Sequence, residues 1–250
     1  MKVKVFETAE QLCAAAAKQA AEKINATIKE KGSARILLST GASQFTFFES
    51  FVKENVDWSK VEMFHLDEYV GISEEHPASF KKYLTERFIN KVNPGKYHLL
   101  NGQDDPEVTI AKVSAALAER KVDLGLIGIG ENGHIAFNDP PADFDDQRFY
   151  KVVNLSDTCI QQQLHEGWFE NEDAAFKQAI SMTCSKIMDC ETIISVVPYK
   201  VKAKAIVDTL SLDKTVDVPA TLMKEHADVT VYCDKDSASL TPAEILAKFA

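Results

Sequence analysis

Short apolar runs of strand length alternate with longer stretches of helical spacing along the whole chain, and this alternation constrains the fold more than any single motif. The runs are "ARILLST" (34–40), "VEMFHL" (61–66), "VDLGLIGIG" (122–130), "TIISVVP" (192–198) and "VTVYC" (229–233). They are apolar almost throughout, as in a parallel sheet covered on both faces. Helical spacing is predicted over 8–30, 44–54, 78–90, 106–120, 157–165, 200–210 and 241–249. The first helix should stop at the Lys31-Gly32 turn, and Thr241-Pro242 should open the last as an N-cap followed by proline. Loops are expected at 67–77, 138–149 and 211–217, with no repeat, low-complexity tract or linker between them. The pattern predicts one α/β domain over 1–250: a single doubly wound, mostly parallel, Rossmann-like sheet with helices on both faces.

In such a sheet, ligands bind beyond the carboxyl ends of the strands. Three polar clusters directly follow apolar runs and are therefore the candidates for a site. In the first, Ser39, Thr40, Gly41, Ala42 and Ser43 stand between a strand and a helix. Small residues let backbone N–H groups approach an anion, and hydroxyls add donors at the helix N-terminus. The same residues would serve equally as ordinary N-capping, and no Walker A lysine follows. Lys200, Lys202 and Lys204 open a helix after another strand and offer either a basic partner or a solvated face.

The second cluster places Asp67, Glu68 and Tyr69 after the strand 61–66. Two carboxylates beside an aromatic suit acid–base work, and burial can raise a carboxyl toward neutrality; a polar loop with Asp67 as a turn residue is the plain alternative. The third is "GIGENGHIAFNDP" (128–140). Gly128, Gly130 and Gly133 fit G-x-G-x-x-G, but Pro140-Pro141 cuts short the helix that a dinucleotide would need. His134 with Asp139 reads better as a histidine and the carboxylate that orients it, against the alternative of a structural histidine buttressing a turn.

Charge and cysteine usage narrow the partners. Lys+Arg number 28 against 38 Asp+Glu, a net charge of −10, which disfavours non-specific binding to nucleic acid or anionic membrane. No apolar run reaches the ~20 residues of a membrane span, and the start lacks a signal-peptide core. Cys13, Cys159, Cys184, Cys190 and Cys233 form no CxxC pair and read as reduced thiols of a cytoplasmic protein, without a metal cluster.

Taken in order, "STGAS" (39–43), "FHLDEYVGISEEHPASF" (64–80), "HLLNG" (98–102), "GIGENGHIAFNDP" and "PYKVKAKA" (198–205) resemble the glucosamine-6-phosphate deaminases (isomerases), within a group that includes 6-phosphogluconolactonases. "HIAFNDP" favours the deaminase branch. The resemblance implies an enzyme without cofactor or metal, acting on a small sugar phosphate, compatible with a homo-oligomer. It implies Asp67 as the base that moves a proton between C2 and C1. It makes His134, backed by Asp139 and Asn132, the assistant of ring opening. Thr40, Gly41, Ser43 and Lys202 would hold the phosphate, Ser39, Ala42 and Glu68 would also bind the substrate, and Tyr69 would help close the pocket. Galactosamine 6-phosphate is the alternative substrate; a lactonase or a non-catalytic sugar-phosphate sensor stands further off. The chain departs from the family pattern where Asn132 replaces a frequent Asp, Asp139 a usual Glu, and Ala42 and Gln44 a Gly and a Pro. Gln162 or Gln163 stands about where an arginine usually joins the phosphate site.

Overall fold

The structure, a computed structural model, describes residues 1–165, 167, 169, 171–172 and 174–250, without the side chain of Gln162. Among these described residues ten strands form: β1 (Lys2–Phe6), β2 (Ala34–Leu38), β3 (Val61–His65), β4 (Asp67–Tyr69), β5 (Lys96–His98), β6 (Leu124–Ile127), β7 (Tyr150–Asn154), β8 (Gln178–Met182), β9 (Thr192–Val197) and β10 (Val229–Asp234). Seven of them make one sheet in the order β1-β10-β9-β6-β2-β3-β5, and every neighbouring pair is parallel.

The doubly wound α/β sheet expected from the alternation is therefore present, and the five predicted runs are its five inner strands. The two that the apolar pattern missed, β1 and β5, are the edges. Both are partly exposed and begin with lysine, as sheet edges commonly do. The inner strands β2, β6, β9 and β10 are buried along their full length. Their alternate residues feed two apolar cores, one per face: Leu37, Ile127 and Ile193 on one side, Ile36, Leu126 and Ile194 on the other. Arg35 interrupts this apolar rule, but its charge is paired. Its guanidinium pairs with Glu62 at 2.9 Å and donates to the carbonyls of Ala116 and Leu117 at the end of the helix Pro106–Ala118.

From β2 the chain steps outward through β3 to β5; from β6 it steps the other way through β9 to β10. The winding thus reverses between β2 and β6, the place where open α/β sheets leave a crevice at their carboxyl ends.

A second, antiparallel sheet, β4-β8-β7, was not foreseen. It corrects the expected loop at 67–77, because Asp67–Tyr69 is a strand paired to β8, with Asp67 opposite Ser181. Beneath it lies an aromatic cluster that includes Tyr69, Phe80, Phe137 and Phe169. The helix expected over 78–90 runs from Phe80 to Val92 with a π turn at Thr85–Ile89. The one expected over 44–54 is shorter, Phe45–Phe51. All five cysteines are buried and none is in a disulfide. Among the described residues no helix is long and apolar enough to cross a membrane.

Candidate active site

Four adjacent strands, β9, β6, β2 and β3, deliver their carboxyl ends to one cleft of about 580 Å³. Its walls include Ser39, Thr40, Gly41, Ala42 and Ser43 after β2, Asp67 after β3, Gly130 and His134 after β6, and Lys202 after β9. Four segments far apart in the chain thereby meet at the switch point.

The 39–43 loop is built to expose donors. Gly41 takes φ +105°, a conformation L side chains rarely adopt, and its carbonyl is held by the Tyr83 hydroxyl at 3.2 Å. Gln44 is buried, and its Nε2 donates to the Val196 carbonyl on β9 at 3.0 Å and to Ser43 Oγ at 3.2 Å. That amide pins the loop to the strand leading toward Lys202. Beyond that strand Tyr199 adopts φ +79°, and its N–H donates to the buried Asp234 carboxylate at 2.9 Å. A short helical turn over Lys200–Lys202 follows and leaves Lys202 only 4% exposed in the cleft. Among the described lining residues it is the one lysine or arginine; Lys200, considered beside it from sequence, is exposed. Hydroxyls, the loop backbone and one ammonium make a cradle for an anion.

Asp67 lies 7% exposed at the mouth of β4, and no described residue donates a hydrogen bond to its carboxyl. Burial, helped by the charge of neighbouring Glu68, pushes it up to about 8. Glu68 and Tyr69, expected as substrate contacts, stand behind the cleft instead of in its lining. Glu68 is fully buried and accepts from the N–H groups of Tyr69, Phe80 and Lys81 and from Ser79 Oγ. Burial raises its carboxyl to about 7, with those donors pulling against the rise. Its place is structural: it ties β4 to the start of the helix at Phe80. Tyr69 is buried among Phe80, Phe137, Phe169 and Phe176.

The glycine-rich stretch after β6 resolves residue by residue. Gly130 is packed against the imidazole, so that a β-carbon there would lie 2.2 Å from His134 Nε2. Gly133 takes φ +83°, and a β-carbon would meet Val218 at 2.7 Å. His134 Nδ1 lies 3.1 Å from Asp139 Oδ1, at an angle short of an ideal hydrogen bond. Asn132 is not a partner of the ring. Its Nδ2 donates to Asp139 Oδ1 at 3.2 Å, and its Oδ1 accepts from the His134 N–H at 3.1 Å. Ser156 donates to the other carboxylate oxygen at 2.6 Å. Burial alone would raise Asp139, but His134, Ser156 and Asn132 outweigh it and hold the carboxyl well below its usual range.

Residues that motif reading did not single out hold these pieces together. Ser181, opposite Asp67 on β8, accepts from the Phe137 N–H at 3.0 Å. Asn138 is buried and donates to the carbonyls of Ile135 and Met182, each at 2.8 Å. The small sheet therefore fixes the His134 loop against the strand that carries Asp67. Gln163 also lines the cleft, 7% exposed, its Oε1 without a hydrogen-bond partner; the side chain of Gln162 lies outside the described residues. No group of His, Cys, Asp and Glu able to hold a metal occurs among the described residues.

An anion cradle, a carboxyl poised near neutrality and a carboxylate-oriented histidine can together bind a phosphorylated substrate and move protons on it. Comparison with known proteins gives a matching picture. Residues 7–232 match the family described as glucosamine-6-phosphate isomerases/6-phosphogluconolactonase. The chain is 34% identical over 217 residues to a glucosamine-6-phosphate deaminase of Streptococcus sanguinis, covering 85% of this chain and 91% of that protein. It is 34% identical over 237 residues to one from Thermoanaerobacter pseudethanolicus, covering 92% of each. Among solved structures it superposes on a monomeric glucosamine-6-phosphate deaminase with TM-score 0.87 at 31% identity, over 96% of this chain and 100% of that one. A 6-phosphogluconolactonase from Shewanella baltica, at 19% identity and TM-score 0.78 over 94% of this chain and 97% of that one, shares the fold.

Proposed function

The chain belongs to the family of glucosamine-6-phosphate isomerases and 6-phosphogluconolactonases, and from that membership we infer that it is a glucosamine-6-phosphate deaminase. The observation that carries the reading is the convergence of Asp67, His134 and the 39–43/Lys202 cradle in one cleft at the switch point of the sheet. The reaction takes glucosamine 6-phosphate and water to fructose 6-phosphate and ammonia.

In the proposed mechanism the cradle holds the 6-phosphate and so fixes the distance to the sugar's reacting end. His134, with Nδ1 turned to Asp139, keeps Nε2 to carry a proton from the anomeric hydroxyl to the ring oxygen, which opens the ring. Asp67 then removes the proton at C2; the electron pair left behind forms the C1–C2 double bond while the C1=O π pair moves to O1, which takes up a proton from solvent. The same carboxyl returns the proton to C1 as the nitrogen lone pair forms the C2=N bond, and loss of one N–H proton to solvent leaves an imine at C2. Water adds to that imine, and ammonia leaves as the ketone forms. A carboxyl held near neutrality suits a group that must both take and return a proton.

The test is an assay of ammonia and fructose 6-phosphate across a panel of hexosamine 6-phosphates and 6-phosphogluconolactone. Glucosamine 6-phosphate should give the two products in equal amounts. Preference for galactosamine 6-phosphate would correct the substrate, and turnover of the lactone alone would overturn the reaction.

A further inference from the structure

The carboxylate of Asp139 has its two oxygens served from opposite sides. Oδ1 faces His134 Nδ1 at 3.1 Å and Asn132 Nδ2 at 3.2 Å. Among the described residues Oδ2 faces only Ser156, whose hydroxyl donates at 2.6 Å and whose N–H donates at 3.3 Å. The same Ser156 Oγ accepts from the N–H of Cys159 at 3.1 Å, in the first turn of the helix Asp157–His165. A serine hydroxyl has one hydrogen and two lone pairs. With Cys159 occupying a lone pair, that hydrogen is free to point at Asp139. The hydroxyl therefore has a fixed direction: it accepts from the helix N–H and donates to Asp139, whose other oxygen faces His134 Nδ1.

We propose that Ser156 is a positioning residue of the active site, holding the Asp139 carboxylate in the rotamer that orients His134. The proposal rests on the deaminase reading for its kinetic part. Asp139 is one methylene shorter than a glutamate, and its reach to the ring depends on where the carboxylate is held. The hydroxyl on Oδ2 opposes rotation about the Cβ–Cγ bond, which would otherwise turn Oδ1 away from Nδ1. The helix that Ser156 caps also presents Gln163 to the cleft, so one hydroxyl joins two walls of the site.

A cap and a positioning group make different predictions, and kinetics separates them. Ser156→Ala should lower kcat by roughly ten- to a hundredfold while KM stays within about threefold, and Ser156→Thr, which keeps the hydroxyl, should restore most of the rate. In an Asp139→Asn background, Ser156→Ala should lower kcat no further, because the group it acts through is already altered. Thr8→Ala, which removes the side-chain cap of the distant helix Ala9–Lys31, should leave kcat and KM unchanged and controls for loss of a cap. A loss of equal size in both backgrounds, or a rise in KM with kcat intact, would overturn the proposal in favour of a helix cap.

A second readout does not depend on the reaction. ¹⁵N chemical shifts of the His134 ring should report the Nδ1–H tautomer in the wild type and Ser156→Thr, and a tautomer mixture in Ser156→Ala. Identical spectra would overturn the positioning role even if glucosamine 6-phosphate were not turned over. An inactive wild type with the expected spectral change would overturn the reaction and uphold the role of Ser156.

Discussion

Gly130→Ala tests the placement of the His134 ring with a single methyl group. A β-carbon at position 130 would lie 2.2 Å from both Nε2 and Cε1 of the ring and 2.4 Å from Cδ2. Atoms in contact normally sit about 3.5–4.0 Å apart, so the ring must retreat by more than ~1 Å. It cannot do so freely. Nδ1 is engaged by Asp139 at 3.1 Å, and the Gly130 N–H donates to the His134 carbonyl at 2.9 Å. A misplacement of about 1 Å can cost ~10²-fold in rate, which at about 1.36 kcal/mol per tenfold is ~2.7 kcal/mol of barrier. Overpacking costs ~1–3 kcal/mol of stability, and for a chain of this size each kcal/mol lowers Tm by roughly 2–4 °C. The variant should fold, melt a few degrees lower, and release ammonia about a hundredfold more slowly. Gly128→Ala is the comparator, since its β-carbon would meet Gln44 Nε2 at 3.5 Å and Ser39 Oγ at 3.7 Å, ordinary contact distances. It should retain roughly tenfold more activity than Gly130→Ala. A folded Gly130→Ala enzyme with wild-type kcat would refute the claim that turnover depends on where this ring sits.

Asp67→Asn should cut kcat by ~10²–10⁴ and change the pH dependence of stability. The folded carboxyl is raised to about 8 by burial and then by Glu68, against roughly 3.9 when unfolded. Its stabilising share is therefore full below about pH 4 and lost as pH rises toward 8. The asparagine variant escapes that loss, so its Tm advantage over wild type should widen between about pH 5 and 8; a gap independent of pH would contradict the shift. Asn132→Asp exchanges an N–H donor 3.2 Å from Asp139 Oδ1 for a second carboxyl. The pair then keeps a proton to higher pH, and the acid limb of kcat/KM should move upward; an unmoved limb would separate position 132 from Asp139. Gln163→Leu removes a buried amide oxygen that has no partner, a burial worth ~1–3 kcal/mol against folding. Tm should rise while KM for the sugar phosphate rises too; an unchanged KM would mean that the amide does not meet the substrate.

The inner strands were legible because each is buried on both faces, so that "ARILLST" or "TIISVV" has no polar alternation to obscure it. The phosphate-loop candidate, Asp67 and His134 were legible for a related reason. Chemistry in a doubly wound sheet gathers just past the strand ends, and those positions can be counted along the chain. Glu68 was read as a site residue because a carboxylate beside Asp67 looks the same in sequence whether it faces the cleft or accepts four hydrogen bonds behind it. The sheet β4-β8-β7 left no clear trace, because Asp67–Tyr69 is a strand only while β8, more than a hundred residues away in the chain, lies beside it. Ser181, Asn138 and Ser156 were invisible for the same reason. A serine or asparagine acquires a role from the partner it meets: Ser181 from the Phe137 N–H, Asn138 from the Met182 carbonyl and Ser156 from Asp139, as the fold places them. Local sequence thus determined which groups are present at the strand ends. Their directions and protonation depend on burial and on partners distant in sequence, and those the tertiary structure decided.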